Sequence, residues 1–163
     1  MNLIGQNAKK ASLEKINTKT KNKILKRYAL LLDKEKNSII IENTRDIKFA
    51  LKKGLKKNLI DRLAINHKKL NDIKASVNKI IKLKDPVDSI LEKWSRPNGL
   101  KIKRVSIPIG VIGVIYESRP NVTSDVASLC FKSGNAVILK GGSEATNTNK
   151  ILAKLFRKAL KAN

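Results

Sequence analysis

The chain has 163 residues, of which 41% are hydrophobic and only 4% aromatic. That length allows one modest domain or an incomplete part of a larger one, with a core built mainly from Ile, Leu, Val and Ala. A single cysteine excludes an intrachain disulfide and a multi-cysteine metal site. No signal peptide is expected at the start, and no apolar run reaches the roughly 20 residues of a membrane-spanning helix. These features favour a reducing cytoplasm.

The formal net charge is +23, from 36 Lys and Arg against 13 Asp and Glu. It favours either a phosphate-rich partner, such as nucleic acid, or a surface on which Lys has replaced other solvated residues. The cations are mostly Lys and are dispersed over every predicted helix, whereas nucleic-acid binders interleave Arg and aromatic residues with Lys. We therefore expect neither nucleic acid nor a membrane as a partner.

Apolar residues at helical spacing predict helices before residue 87. The second begins at Thr20 as N-cap, and the third runs from about Glu35 to Lys53 and ends at Gly54 in the left-handed conformation. After a short segment, Leu59 to Ile65, a fourth helix follows and must stop before Asp85-Pro86. The first helix is predicted from the apolar residues Leu3, Ile4, Ala8, Ala11 and Ile16.

The chain then changes to strand patterns. Two stretches, Ile90 to Trp94 and Leu100 to Val105, flank the turn Arg96-Pro97-Asn98-Gly99. Proline presets one turn dihedral, and Asn and Gly tolerate positive φ, so this pattern predicts a β-hairpin. The alternation of Lys with Leu or Ile predicts that one face of the hairpin is solvated and the other covered.

From Pro108 the pattern predicts strand, helix, strand and helix. Gly110 to Tyr116 and Asn135 to Leu139 are apolar runs typical of strands buried on both faces of a parallel sheet. A helix from Val122 to Lys132 connects them, and a last one runs from about Ser143 to Lys161. Two parallel strands and a hairpin cannot complete a doubly wound sheet, so an incomplete α/β fold is expected.

The stretch from Pro108 to Glu144, PIGVIGVIYESRPNVTSDVASLCFKSGNAVILKGGSE, closely resembles the signature of the γ-glutamyl phosphate reductases. Asn43 to Asp46, Asp61-Arg62-Leu63 and Asp85-Pro86-Val87 also resemble elements of that family. The resemblance implies an aldehyde-dehydrogenase-like α/β fold for a partial NADPH-binding domain. Residues 1–87 would be helical, 88–107 a hairpin arm, and 108–163 the first part of a Rossmann-like cofactor domain. The family's catalytic cysteine is expected after residue 163.

The resemblance implies NADPH-dependent reduction of L-glutamyl 5-phosphate to L-glutamate 5-semialdehyde and phosphate, in proline biosynthesis. A cysteine thiolate would displace phosphate to form a thioester, and hydride would then release the aldehyde. The hairpin resembles an arm used for subunit pairing, so the full protein is expected to be a homo-oligomer. The alternatives are a basic nucleic-acid-binding protein and a truncated product without activity of its own.

Arg119 and Asn121, which both follow the first parallel strand, are candidates for substrate chemistry. The resemblance implies that Asn121, next to Pro120, donates its amide N–H to a developing oxyanion. The alternative is that Asn121 only caps the helix. Arg119 either binds the substrate's phosphate or α-carboxylate, or forms a structural salt bridge.

The loop after the second parallel strand carries the cofactor candidates. The resemblance implies that Lys140 binds the adenosine ribose or 2′-phosphate of NADPH. Gly141 and Gly142 permit a close backbone approach to a cofactor, and Ser143 and Glu144 either reach it or cap the last helix. Cys130 lies on the apolar side of a helix and is expected to be a buried structural thiol. No metal site is expected.

Overall fold

The computed structural model describes residues 2–161 of the chain. The order of elements agrees with the predicted α/β organisation of helices, hairpin, and strand–helix–strand–helix, except that a further short helix, Lys57–Leu63, forms in the segment expected to connect the third and fourth helices. In chain order the elements are α1 (Asn2–Ser12), α2 (Thr18–Lys34), α3 (Lys36–Lys52), α4 (Lys57–Leu63), α5 (His67–Lys82), β1 (Ile90–Ser95), β2 (Lys101–Val105), β3 (Val111–Ile115), α6 (Pro120–Lys132), β4 (Ala136–Lys140), a 3₁₀ turn (Ser143–Ala145) and α7 (Thr146–Lys161).

The main hydrophobic core lies between α2, α5, α6 and α7. Helix α2 packs against the other three, and its core face carries Ile24, Leu25, Tyr28 and Leu32. These residues recur along one side of the helix, as an amphipathic helix requires. The ring of Tyr28 meets that of Phe156 edge-on, with centroids 4.8 Å apart. The amino-terminal helices and the strand–helix region therefore share one core.

The start of α2 differs from the prediction. Its N-cap is Asn17, whose Oδ1 accepts a hydrogen bond from the Thr20 N–H at 2.8 Å. Asn and Thr are both good N-caps, and the one that stands earlier in the chain is used. Helix α1 also ends sooner than expected, at Ser12, so Ile16 lies outside it.

The end of α3 confirms the role predicted for Gly54. Its φ is 69°, a left-handed conformation that glycine adopts without a Cβ clash. The Gly54 N–H donates to the Leu51 carbonyl at 3.0 Å, and the Leu55 N–H donates to the Ala50 carbonyl at 3.1 Å. These two bonds form a Schellman motif, which satisfies carbonyls that the helix itself leaves free.

A polar network joins α3 to the start of α7. Asp46 is buried, and its Oδ2 accepts from the backbone N–H and the hydroxyl of Thr148 at 2.8 and 2.6 Å. Its Oδ1 accepts from the side chain of Asn147 at 2.8 Å. One turn earlier, Asn43 donates to Thr148 and accepts from the Ile65 N–H. Both carboxylate oxygens are therefore bonded, which offsets the cost of burying Asp46.

A second buried cluster joins α2 to the segment after α5. Lys21 Nζ lies 3.0 Å from Asp85 Oδ2, with side chains only 3% and 9% exposed. Burial acts to raise the pKa of Asp85, but hydrogen bonds from Lys21, the Val87 N–H and the Thr18 hydroxyl together hold it below its ordinary value. Desolvation lowers the pKa of the neighbouring Lys132, which donates to a side-chain and a backbone oxygen.

Strands β1 and β2 form the predicted antiparallel hairpin. Trp94 pairs with Ile102, and the Arg96 N–H donates to the Leu100 carbonyl across the turn at 2.9 Å. The expectation of one covered face is wrong for this chain. Every residue of β1 is exposed, and in β2 only Ile102 is half-buried. The reason is that no helix within residues 2–161 packs extensively against either strand.

Strands β3 and β4 form the predicted parallel pair, with Ile112 opposite Val137 and Ile115 opposite Lys140. They and the hairpin are two separate two-stranded sheets. The expectation that both strands are buried on both faces is wrong, because β4 is mostly half-buried and Ile115 is 83% exposed. Helix α1 packs against both strands and α6 against β4, and the remaining apolar surface is not covered by residues 2–161.

Candidate functional site

The carboxyl ends of β3 and β4 lie side by side because the parallel register pairs their last residues. The Tyr116 N–H donates to the Lys140 carbonyl at 3.1 Å and extends the pairing by one residue. The loops that follow lead into α6 and into the 3₁₀ turn before α7. Ligands of open α/β sheets bind at this edge. The fold therefore brings Arg119, Asn121 and residues 140–144 to one edge of the parallel pair.

Asn121 is the second residue of α6, after Pro120 at the first position. Proline suits that position because its missing N–H would have no partner within the helix. The alternative that Asn121 caps the helix is wrong, since Arg119 occupies the N-cap position. The Asn121 side chain is exposed, and its Nδ2 makes only a long 3.5 Å contact with Asp125 Oδ2. Its amide is thus available to a ligand.

Glu117 lies between two arginines in the loop after β3. Its Oε1 is 2.8 Å from Arg119 Nε, and its Oε2 is 3.1 Å from Arg62 Nη1. The Arg119 N–H is not directed at the carboxylate, so that contact is an ion pair and not a hydrogen bond. Of the two alternatives for Arg119, the salt bridge is therefore formed, and binding of a substrate anion stays a prediction.

The cofactor candidates differ in how far their polar groups are already bonded. Lys140 is exposed, and no side chain within residues 2–161 pairs with its ammonium. Glu144, in contrast, accepts from the Ser143 hydroxyl at 2.8 Å and from the Ser118 hydroxyl at 3.0 Å, and lies 3.8 Å from Lys53 Nζ. These hydrogen bonds, that of Ser143 first, lower the pKa of Glu144 and keep it ionised.

The two glycines after β4 allow close packing within the protein. A Cβ on Gly141 would overlap the side chains of Asn149 and Tyr116, and one on Gly142 would overlap Ser118. Neither glycine has a positive φ, so the requirement is for space. The pair brings the loop after β4 against the loop after β3. A direct approach of this backbone to a cofactor stays a prediction.

A cleft of about 310 Å³ lies between the α4–α5 connection and the start of α6. Asn121 and Asp125 line it from α6, and Arg62, Lys69 and Asp72 line it from the other side. A concave site with apolar walls and a few convergent polar groups is typical of small-molecule binding. The walls are completed by the apolar residues Ala64, Ile65, Ile73 and Pro120 and by Ser76.

The sequence predicted a role for Asn121, which lines this cleft, but for none of the cleft's charged residues. Lys69 Nζ donates to the Asp61 and Ala64 carbonyls at 2.5 and 2.7 Å, which fixes its ammonium at the end of α4. Asp125 Oδ1 is buried and has no hydrogen-bond partner among the described residues. The available sequence signals were the resemblance of Asp61-Arg62-Leu63 to a family element, which includes Arg62, and the signature from Pro108 to Glu144, which includes Asp125.

Cys130 is a buried free thiol, as predicted, and burial raises its pKa. It is therefore protonated at neutral pH and a poor nucleophile. Within residues 2–161, no group of three or more His, Cys, Asp or Glu side chains could hold a metal ion. None of the helices in that range has the length and apolar character to cross a membrane.

Comparison with known proteins identifies relatives of this chain, although no family model matches it. It is 52% identical over 149 residues to the γ-glutamyl phosphate reductase of Hydrogenobaculum sp. (strain Y04AAS1), a match that covers 91% of this chain and 34% of the relative. The crystal structure of γ-glutamyl phosphate reductase from Thermotoga maritima matches with a TM-score of 0.93 and 42% identity, over 97% of this chain and 39% of that one.

A more distant structure shares the fold alone. A Bacillus subtilis protein assigned as an aldehyde dehydrogenase matches with a TM-score of 0.68 and 20% identity, over 93% of this chain and 32% of that one. The chain spans about a third of the length of the curated relatives that it matches, at their amino-terminal end. Over that part of their length, this chain is similar in sequence to the γ-glutamyl phosphate reductases, an oxidoreductase family, and it shares their aldehyde-dehydrogenase-like fold.

Proposed function

We propose that this chain forms the first part of an NADPH-dependent reductase that converts L-glutamyl 5-phosphate to L-glutamate 5-semialdehyde and phosphate in proline biosynthesis. The observation that carries the proposal is the position of Asn121. Its free amide lies on the cleft at the start of α6, beside the carboxyl edge of the parallel pair. The Hydrogenobaculum relative, whose match covers 91% of the chain, is named γ-glutamyl phosphate reductase.

The chemical role of Asn121 follows from the charge that develops during the reaction. Attack on an acyl phosphate moves negative charge onto the carbonyl oxygen, and the Asn121 amide N–H donates a hydrogen bond to it. A preorganised donor of this kind lowers the barrier by roughly 3–4 kcal/mol. The backbone N–H groups at the start of α6 add partial positive charge nearby. Because Cys130 is buried and protonated, a residue outside this chain supplies the attacking thiolate.

The edge of the parallel pair has groups that suit a dinucleotide. The ammonium of Lys140 is unpaired among residues 2–161 and fits an anionic group, such as the 2′-phosphate of NADPH. The ionised Glu144 fits ribose hydroxyl donors, and Gly141, Gly142 and Ser143 form the loop between them. When bound, NADPH supplies the hydride of the reduction. Arg119, in the loop after β3, is the candidate for binding the phosphate or the α-carboxylate of the substrate.

The proposal is tested with a chimera in which this chain replaces the matching first part of the Thermotoga maritima reductase. The reverse reaction, in which L-glutamate 5-semialdehyde, phosphate and NADP⁺ form L-glutamyl 5-phosphate, NADPH and a proton, is followed by the absorbance of NADPH. We expect an active chimera, and we expect Asn121→Ala to lower kcat by about 10²–10³-fold with little change in the Kd for NADPH. The matched control is Asn78→Ala on the exposed side of α5.

Two results contradict parts of the proposal. A folded chimera without turnover rejects the assigned reaction for this chain. Full turnover of the Asn121→Ala chimera rejects the oxyanion role and leaves the reaction standing.

We also propose that the reductase works in the cytoplasm as a homo-oligomer whose subunits meet through the hairpin. This proposal is supported by the exposed apolar side chains of the hairpin, which include Leu91, 56% exposed, and Trp94, 40% exposed. Large exposed apolar side chains grouped in one place are typical of interaction surfaces. The lysines are dispersed along the chain, and we propose no nucleic-acid partner.

A further inference from the structure

We propose that the cleft between the α4–α5 connection and α6 recognises the α-amino-acid end of the substrate. In this assignment Arg62 and Lys69 bind the α-carboxylate, and Asp125 binds the α-ammonium. The assignment rests on the proposed function, in which the substrate is an L-glutamyl compound. Arg62, Lys69 and Asp125 would thereby distinguish this substrate from other acyl phosphates.

The side of the cleft assigned to the substrate's α-carboxylate has two cations with unused N–H donors. Arg62 uses Nη1 for Glu117, and its other N–H groups have no partner among residues 2–161. A guanidinium has five N–H donors in a planar fork that suits a carboxylate. Lys69 directs two of its three donors to the carbonyls at the end of α4, and the third is free for a ligand. Both cations line the same wall.

The side of the cleft assigned to the substrate's α-ammonium has a carboxylate, that of Asp125, whose oxygens accept too few hydrogen bonds. Asp125 Oδ1 is buried without a hydrogen bond, and Oδ2 receives only the 3.5 Å contact from Asn121. A carboxylate that is partly desolvated and poorly bonded is costly, and an ammonium ion at Oδ2 offsets that cost. Asp72 adds a second negative charge to the cleft. Two cations and two carboxylates complement a zwitterion better than they complement a simple anion.

The spacing on α6 orients the substrate. Asn121 and Asp125 are four residues apart on one helix and therefore share a face, with Asn121 Nδ2 3.5 Å from Asp125 Oδ2. One ligand can therefore contact both side chains. With the α-ammonium at Asp125, the acyl end of the same glutamyl group lies toward the Asn121 amide. The cleft volume of about 310 Å³ suits a ligand of this size.

The test uses the 163-residue chain, labelled with ¹⁵N, in titrations followed by amide chemical shifts. The probes are L-glutamate, glutarate, which lacks the amino group, and N-acetyl-L-glutamate, in which it carries no charge. We expect L-glutamate to shift amides in residues 62–76 and 120–125 and to bind at least fivefold more tightly than the other two. Asp125→Asn should weaken L-glutamate binding at least fivefold and leave glutarate binding unchanged, whereas Arg62→Gln should weaken both.

The matched control is Glu14→Gln, which makes the same change in charge on an exposed residue outside the cleft. Equal affinities for the three probes, or an unchanged affinity in the Asp125→Asn chain, would overturn the assignment. The two proposals fail separately. An active chimera with no selection for the amino group rejects the cleft assignment alone. Selective L-glutamate binding beside an inactive chimera supports the cleft and rejects the reaction.

Discussion

Asp85 connects α2 and the segment after α5 through a single carboxylate. In the folded protein its pKa is below the ordinary 3.8, so the folded state takes up a proton less readily than the unfolded state. The stabilisation from Asp85 is therefore complete above that ordinary value and is lost as the pH falls through the lower, folded-state pKa. Lys21 is buried and depends on the carboxylate as its partner.

We predict that Asp85→Asn destabilises the chain by about 3–5 kcal/mol at neutral pH, because it leaves the buried Lys21 ammonium without a counter-charge. The variant should also lose less stability than the wild type as the pH falls below about 3.8. Urea unfolding at several pH values measures both effects. The control is Asp88→Asn, an exposed residue close by in the chain. Parallel stability–pH curves for the Asp85→Asn and wild-type chains would contradict the assigned role.

For individual residues, the sequence predicted some members of the site and missed others. Asn121 and Lys140 stand in a contiguous motif just after predicted strands, so their shared edge follows from parallel pairing. Arg62 and Asp125 are far apart in sequence and line the same cleft because α5, which follows α4, packs against α6. No local pattern records that packing. The cap at Asn17 was missed for a different reason, because two residues with equal capping ability stand three positions apart.

Among the elements, the hairpin departs most from its predicted environment. Its turn and register follow from the local sequence, since Pro97, Asn98 and Gly99 favour the chain reversal. The alternation along its strands indicates that a covering surface exists, but it does not say which chain provides it. The same holds for β3, where the apolar run predicted a strand correctly and its burial wrongly, as the exposed Ile115 demonstrates.

We predict that Trp94→Lys shifts the chimera toward smaller assemblies in sedimentation velocity. The reason is that a charged side chain replaces an apolar one that is 40% exposed on the proposed subunit contact. The free energy of unfolding of the isolated chain should change by no more than about 0.5 kcal/mol, as is usual for surface positions. Leu30→Lys on α2, where Leu30 is 67% exposed, is the control. If both variants sediment like the unmodified chimera, the hairpin is not the contact.

For the whole molecule, the dominant electrostatic quantity is the net charge of +23. Exposed ion pairs contribute little to stability, so repulsion among the many lysines outweighs them at low ionic strength. Salt above about 0.1 M shortens the Debye length to 10 Å or less and weakens that repulsion.

We therefore predict that the Tm of the chain rises by a few degrees between about 0.02 and 0.3 M NaCl, as followed by circular dichroism. KCl should act alike, since screening depends on ionic strength and not on the cation. A Tm that falls with added salt would mean that attractive ion pairs outweigh the repulsion.

The network around Asp46 has a consequence for how the chain is made. Asp46 and its partner Thr148 are 102 residues apart in sequence, and Asn43 and Thr148 are 105 apart. Contacts of such long range close late in folding, because the intervening chain must first be ordered. During synthesis, α3 therefore remains without these bonds until residue 148 has left the ribosome. Helix α3 therefore emerges well before its polar anchor, since Thr148 is translated 102 residues after Asp46.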